Sequence, residues 1–181
     1  MKILLLRILI IVIVIIILLL VIGLFSKKDY SVESEISIKR SKLEVFEYIK
    51  LLKNQNNYSK WALMDPNMKK EYTGIDGVRG FKSAWESNMK EVGQGVQEIV
   101  KVTEGERVDF ALHFIKPFDG MADSYMTVDP VTPSETKVKW GFHSKMKYPM
   151  NILLMFMNMD KVIGKDLNTG LNNLKNLLEK K

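Results

Sequence analysis

Trp85, Phe110, Phe114, Met126, Trp140, Phe142 and Met157 are the residues best suited to line a ligand cavity. Tryptophan and phenylalanine bring large apolar area, and methionine adapts its shape to an irregular guest. Ligand pockets combine such walls with a few placed polar groups. The competing use of the same residues is plain core packing, and the sequence leaves both open. Asp160 is the one charge on the apolar side of the last helical segment, with Gly164 one turn below it. A carboxylate there could orient a ligand hydroxyl or amine, or act as a base if burial raised its pKa. Its alternatives are a lysine partner or partial exposure. His113 and His143 stand on separate strand-like segments, and parity turns both away from the apolar faces. Two histidines with no cysteine and no H-E-x-x-H spacing make a poor metal set. No G-x-S-x-G elbow is present, and Gly93-Gln-Gly95 reads as a strand turn, not a phosphate cradle. No catalytic set and no cofactor site emerge.

The elements that must position these residues begin with an aliphatic run from Ile8 to Phe25, interrupted only by Gly23. A hydrocarbon core of about 30 Å needs roughly 20 apolar residues, and Ile3 to Phe25 supplies them. A secretory signal has a shorter apolar region, roughly 7–15 residues, and small residues at its cleavage site, which Gly23-Leu24-Phe25-Ser26-Lys27 does not offer. The expectation is one transmembrane anchor over residues 1–28 and a single domain over 29–181. Orientation stays open. Lys27, Lys28, Lys39, Arg40 and Lys42 favour a cytoplasmic C-terminal side, whereas the short N-terminal tail suits an anchor that exports the chain beyond it.

The net charge of +6 has the same origin. Four of the 27 basic residues (Lys2, Arg7, Lys27, Lys28) flank the apolar run, and all 21 acidic residues lie beyond it, which leaves +2 for the rest. The excess punctuates a membrane and matches anionic headgroups. No basic stripe with interleaved aromatics argues for nucleic acid. With no cysteine, disulfides and thiolate chemistry are excluded.

From Asp29 to Lys39 the chain alternates, with Val32, Ser34, Ile36 and Ile38 on one side, as a half-buried strand does. Ser41 and Glu44 form a capping box that opens a helix carried on by Leu43, Phe46, Tyr48, Ile49 and Leu52. Asn54 to Lys60 reads as a break or a short second helix. Strand-like segments come after it at about 81–89, 95–103, 107–117, 121–129 and 135–144, with a short one at 70–73 and tight turns that imply antiparallel hairpins. Val108, Phe110, Leu112 and Phe114 share a face, as do Val138, Trp140 and Phe142. The cover for these faces is a helix from Pro149 onward, whose Leu153, Met157, Asp160, Gly164, Leu167, Leu171, Leu174 and Leu178 step by three and four. The class is α+β.

Residues 30–180 resemble the START-like (SRPBCC) superfamily and its polyketide cyclase/dehydrase-like branch. The resemblance is carried by Ser37-Ile-Lys-Arg-Ser-Lys-Leu-Glu-Val-Phe-Glu-Tyr-Ile49, Tyr58-Ser-Lys-Trp61, Gly93-Gln-Gly95, Lys137-Val-Lys-Trp140 and the closing helix. Arg40-Ser41 stands where such proteins often have a proline. The resemblance implies a helix-grip fold: a curved antiparallel sheet wrapped around a long C-terminal helix, with an apolar cavity between them. It also implies a lipid or other hydrophobic small molecule as partner, in a membrane-tethered binding module. A cyclase or dehydratase using Asp160 is one alternative. A partner-binding domain with a filled core is another.

Overall fold

The computed structural model describes residues 2–180. An apolar helix, α1 (Lys2–Phe25), leads into strand β1 (Asp29–Ile38), which alternates exposed and buried residues as its period of two requires. Helix α2 (Lys42–Lys50) opens on the expected capping box. The Ser41 hydroxyl accepts from the Glu44 amide at 3.4 Å, and the Glu44 carboxylate accepts from the Ser41 amide at 3.1 Å. Its buried side is Val45, Phe46 and Ile49, while Leu43, expected in that stripe, is exposed. Leu51 turns extended and ends the helix. A 3-10 turn (Leu52–Asn57) and helix α3 (Lys60–Met64) fill the stretch read as a break.

Strands β2 (Lys69–Thr73), β3 (Lys82–Glu86), β4 (Gln94–Thr103), β5 (Arg107–Lys116), β6 (Gly120–Thr132) and β7 (Glu135–Lys145) complete one antiparallel sheet of seven in the order β1-β7-β6-β5-β4-β3-β2. The register pairs Asp29 with Lys145, Phe114 with Gly120, Gln94 with Lys116 and Lys69 with Glu86. These strand ends therefore all lie at the end of the sheet where α1 enters.

The C-terminal cover departs from the expected single helix. Met150–Met155 is a separate 3-10 turn, a break comes next, and the chain re-enters as a π-helical turn (Asp160–Gly164) running into α4 (Lys165–Glu179). The physical reason lies in α1. Asn151, fully buried, donates to the Gly23 carbonyl at 2.7 Å, and the Ser26 hydroxyl donates to Met155 Sδ at 3.4 Å. The segment packs on the end of the apolar helix, not along the sheet. A π turn also takes an extra residue, so the three-and-four stepping does not carry through it. Beyond it the pattern holds, with Leu167, Leu171, Leu174 and Leu178 buried on the concave face with Ile38, Val108, Phe110, Met126, Val128 and Val138. Burying each such leucine stabilises by about 1.5–3 kcal/mol.

Candidate functional site

Sheet and helix do not close completely. Between them lies a cavity of about 250 Å³. A single water occupies about 10–15 Å³ in the same measure, so this is no packing void. Its apolar walls come from β3 (Trp85), β5 (Leu112, Phe114), β7 (Trp140, Phe142), α3 (Trp61) and the final helical segment (Ile163, Leu167). The period of two puts Leu112 and Phe114 on one face of β5, and Trp140 and Phe142 on the same face of β7. The aromatic rings brace one another. Trp85 meets Phe114 edge-on at 6.0 Å, and Trp140 receives Tyr58 at 5.8 Å and Trp61 at 6.4 Å, both edge-on.

Both indoles are also held at their polar edges. Trp140 Nε1 donates to Ser124 Oγ at 3.1 Å, and that hydroxyl donates to the Gly141 carbonyl at 2.8 Å. Trp85 Nε1 donates to the Val92 carbonyl at 3.1 Å. With their N–H groups satisfied, the rings show only apolar surface to the cavity. Glycine makes room for each ring. A Cβ on Gly95 would lie 2.6 Å from Trp85, and one on Gly170 would lie 2.7 Å from Trp140. Gly93 adopts φ +64°, and a Cβ there would run into the Lys116 carbonyl, so the 93–95 motif shapes the turn and seats Trp85.

The polar content is small. Gln55, 8% exposed, lines the cavity, and its Nε2 has no hydrogen-bond partner among the described residues. Exposed Glu91, Lys116 and Pro117 line the same space and mark where it meets solvent, at the end of the sheet where α1 enters. Burial pushes the Tyr58 phenol up, so it stays neutral, and its hydroxyl donates to Met126 Sδ at 3.3 Å. An ion pair of Lys60 with Asp166 ties α3 to α4 across the roof.

Of the eight residues singled out in the sequence, Trp85, Phe114, Trp140 and Phe142 converge on the cavity. Phe110 and Met126 are packed in the core and do not line it. Met157 and Asp160 are exposed and outside it, because the break after Met155 and the π turn rotate them off the buried face. Gly164 does not open space for Asp160. It lies against β1, where its carbonyl accepts from the Ser34 hydroxyl at 3.2 Å and a Cβ would press on Val32 at 3.2 Å. His113 pairs with Asp119 at 2.9 Å, which holds that carboxyl below its usual range, and His143 meets Ser31 at 2.9 Å. Sequence reasoning passes over Gln55, placed in a polar stretch read as a break or a short second helix. Its spacing of three from Leu52, one 3-10 turn, is the signal that puts both on one side.

No family profile and no curated protein matches the chain. Solved structures do share its fold. Truncated norcoclaurine synthase from Thalictrum flavum is 11% identical with a TM-score of 0.60, covering 84% of this chain and 95% of that one. The same enzyme in complex with dopamine and hydroxybenzaldehyde is 14% identical with a TM-score of 0.56, over 88% and 91%. A protein of Thermus thermophilus is 17% identical with a TM-score of 0.59, over 81% and 95%. The likeness is one of architecture: the helix-grip arrangement expected of the START-like resemblance.

Proposed function

We propose that the chain is a membrane-tethered module that holds a lipid or other hydrophobic small molecule between its curved sheet and final helix. Residues 1–28 act as the anchor and 29–181 as the binding domain. The observation that carries this is the aromatic-walled cavity with the buried Gln55 amide on its wall, whose Nε2 has no partner among the described residues. An apolar guest with one hydrogen-bonding group would fill the walls and satisfy that amide. The complex of norcoclaurine synthase with two small aromatic molecules supports a small-molecule role for this architecture.

Tethering rests on α1, whose 24 residues span about 36 Å and are exposed along nearly their whole length. Its use as a structural partner by Asn151 and Met155 supports retention over cleavage as a leader. The cyclase reading loses its proposed proton-transfer group, since Asp160 lies outside the cavity, and the filled-core reading conflicts with the open volume. The polyketide cyclase-like branch therefore contributes a scaffold to this reading and no reaction.

The test is native mass spectrometry with lipid extraction on full-length protein purified from membranes. A stoichiometric hydrophobic compound, displaced by Leu112→Trp, is expected. Protein that carries no guest and also fails to take up a fluorescent fatty acid would overturn the assignment.

A further inference from the structure

The end of the sheet where α1 enters carries apolar side chains that neither core nor cavity uses. Phe118, at the tip of the β5–β6 hairpin, is 73% exposed, and Phe156, just past the 3-10 turn, is 71% exposed. Met121, Met150 and Leu153 are exposed beside them in the same two segments. Two unrelated stretches of sequence thus present bulky apolar groups at one pole. Bulky apolar side chains gathered at one pole are the kind of surface that marks an interaction site.

Three observations identify what covers it. First, α1 joins the domain here. The Met146 amide donates to the Lys28 carbonyl at 2.7 Å, and Asn151 grips Gly23, so the 150–155 turn is fastened to the last turn of the apolar helix. A bilayer around α1 would therefore have this turn at its surface. Second, basic residues outnumber acidic ones at the pole: Lys27, Lys28, Lys69, Lys90, Lys116, Lys145 and Lys147, against Asp29, Glu86, Glu91 and Asp119. Aromatic and methionine side chains below a lysine rim match an interface with anionic headgroups. Third, Lys116 and Pro117, at the cavity mouth, immediately precede Phe118.

We infer that this pole is a second membrane contact, in which the 116–121 hairpin and the 149–157 segment insert into an anionic bilayer and turn the cavity mouth onto the lipid. The inference rests on the tethered reading of α1 and adds an orientation to it. A tether alone would leave the domain free to tumble, whereas the docked pole lets an apolar guest pass between bilayer and cavity without crossing water.

The chain has no cysteine, so single nitroxide labels can be placed without background. Full-length Phe118→Cys, Phe156→Cys, Val131→Cys and Ile13→Cys proteins are reconstituted in phosphatidylcholine vesicles with and without phosphatidylglycerol. Val131 is exposed on β6 near the opposite pole, and Ile13 lies mid-way along α1. Labels at 118 and 156 should lose collisional broadening by an aqueous nickel complex and gain it from oxygen, more so with phosphatidylglycerol, while 131 stays water-exposed. Position 13 in lipid with 118 and 156 as wet as 131 overturns the docking and leaves the tether standing. Position 13 in water overturns the tether itself. Immersion that is equal in both lipids overturns the anionic preference.

Discussion

The ring of Trp140 rests directly on Gly170: a Cβ at Gly170 would stand 2.7 Å from Trp140 Cζ3. Glycine in a helix interior costs about 1 kcal/mol against alanine, and this contact is what that cost supports. The final helix comes close enough to the sheet at this point for one indole to fill the gap and still wall the cavity. Two effects oppose each other in Gly170→Ala. Helix propensity returns about 1 kcal/mol, whereas overpacking costs typically about 1–3 kcal/mol. Trp140 cannot easily yield, because its Nε1 is held by Ser124 and its ring by Tyr58 and Trp61. Overpacking wins. The variant should melt at a lower temperature, and tryptophan fluorescence should shift as the ring is pushed toward the cavity. A rise in melting temperature would show that the contact is loose.

Filling the cavity should separate binding from stability. Leu112 is half-buried and lines the open space from β5, so Leu112→Trp adds volume where there is vacancy. Guest binding should fall by at least about tenfold, the effect of losing roughly 1.4 kcal/mol. The denaturant midpoint should hold or rise, since cavity filling commonly adds stability. Undiminished uptake of a fluorescent fatty acid would place the guest elsewhere.

The parts of this architecture legible in the sequence are those whose signals are local. The alternation in β1, the paired faces of β5 and β7 and the Ser41–Glu44 box depend on neighbours in the chain, and each predicts its element correctly. Trp85, Phe114, Trp140 and Phe142 follow from strand parity, which a regular sheet preserves. Helical stepping misplaces Asp160 and Met157 because it runs through a segment whose conformation is decided by α1, more than a hundred residues away. Gln55 escapes notice for the converse reason: in a polar run its only sign of burial is the three-residue spacing from Leu52, which has meaning once the stretch is a 3-10 turn.

On the outer face of the sheet Glu33 predicts a pH effect. Its carboxyl is held below its usual range, first by the hydrogen bond donated by Tyr125 and then by Lys139 and Arg107. A depressed folded-state pKa adds stability that is present above the ordinary value, about 4.3, and is lost as pH falls through the folded value. Tyr125→Phe keeps the ring on Gly141 and under Arg107, whose guanidinium carbon lies 3.9 Å from the ring centroid, and removes only the donor. Stability near pH 7 should drop by under about 1 kcal/mol, because Glu33 is substantially exposed and the pair is screened. The difference from wild type should vanish in acid. Denaturant midpoints across about pH 3–7 check this, and a difference that persists at the acid end would assign the effect to packing.

The clamp between Asn151 and the Gly23 carbonyl should decide how firmly the domain is held to α1. Asn151 is fully buried, and its Nδ2 reaches both Gly23 O at 2.7 Å and Ser26 O at 3.5 Å. Asn151→Leu removes the donor and leaves the buried Gly23 carbonyl short of a partner, at a cost of about 1–3 kcal/mol, and frees the part-buried Ser26 carbonyl as well. Gly23→Leu attacks the same joint sterically, since a Cβ there would meet Ile152 Cγ1 at 2.5 Å. Neither change touches the core under α4, so the melting temperature of the sheet domain should move little. Hydrogen exchange should instead rise across residues 146–157 in vesicle-bound protein, by the same margin in both variants. Exchange that stays protected there would mean that the 150–155 turn is held by the sheet domain itself, not by its grip on α1.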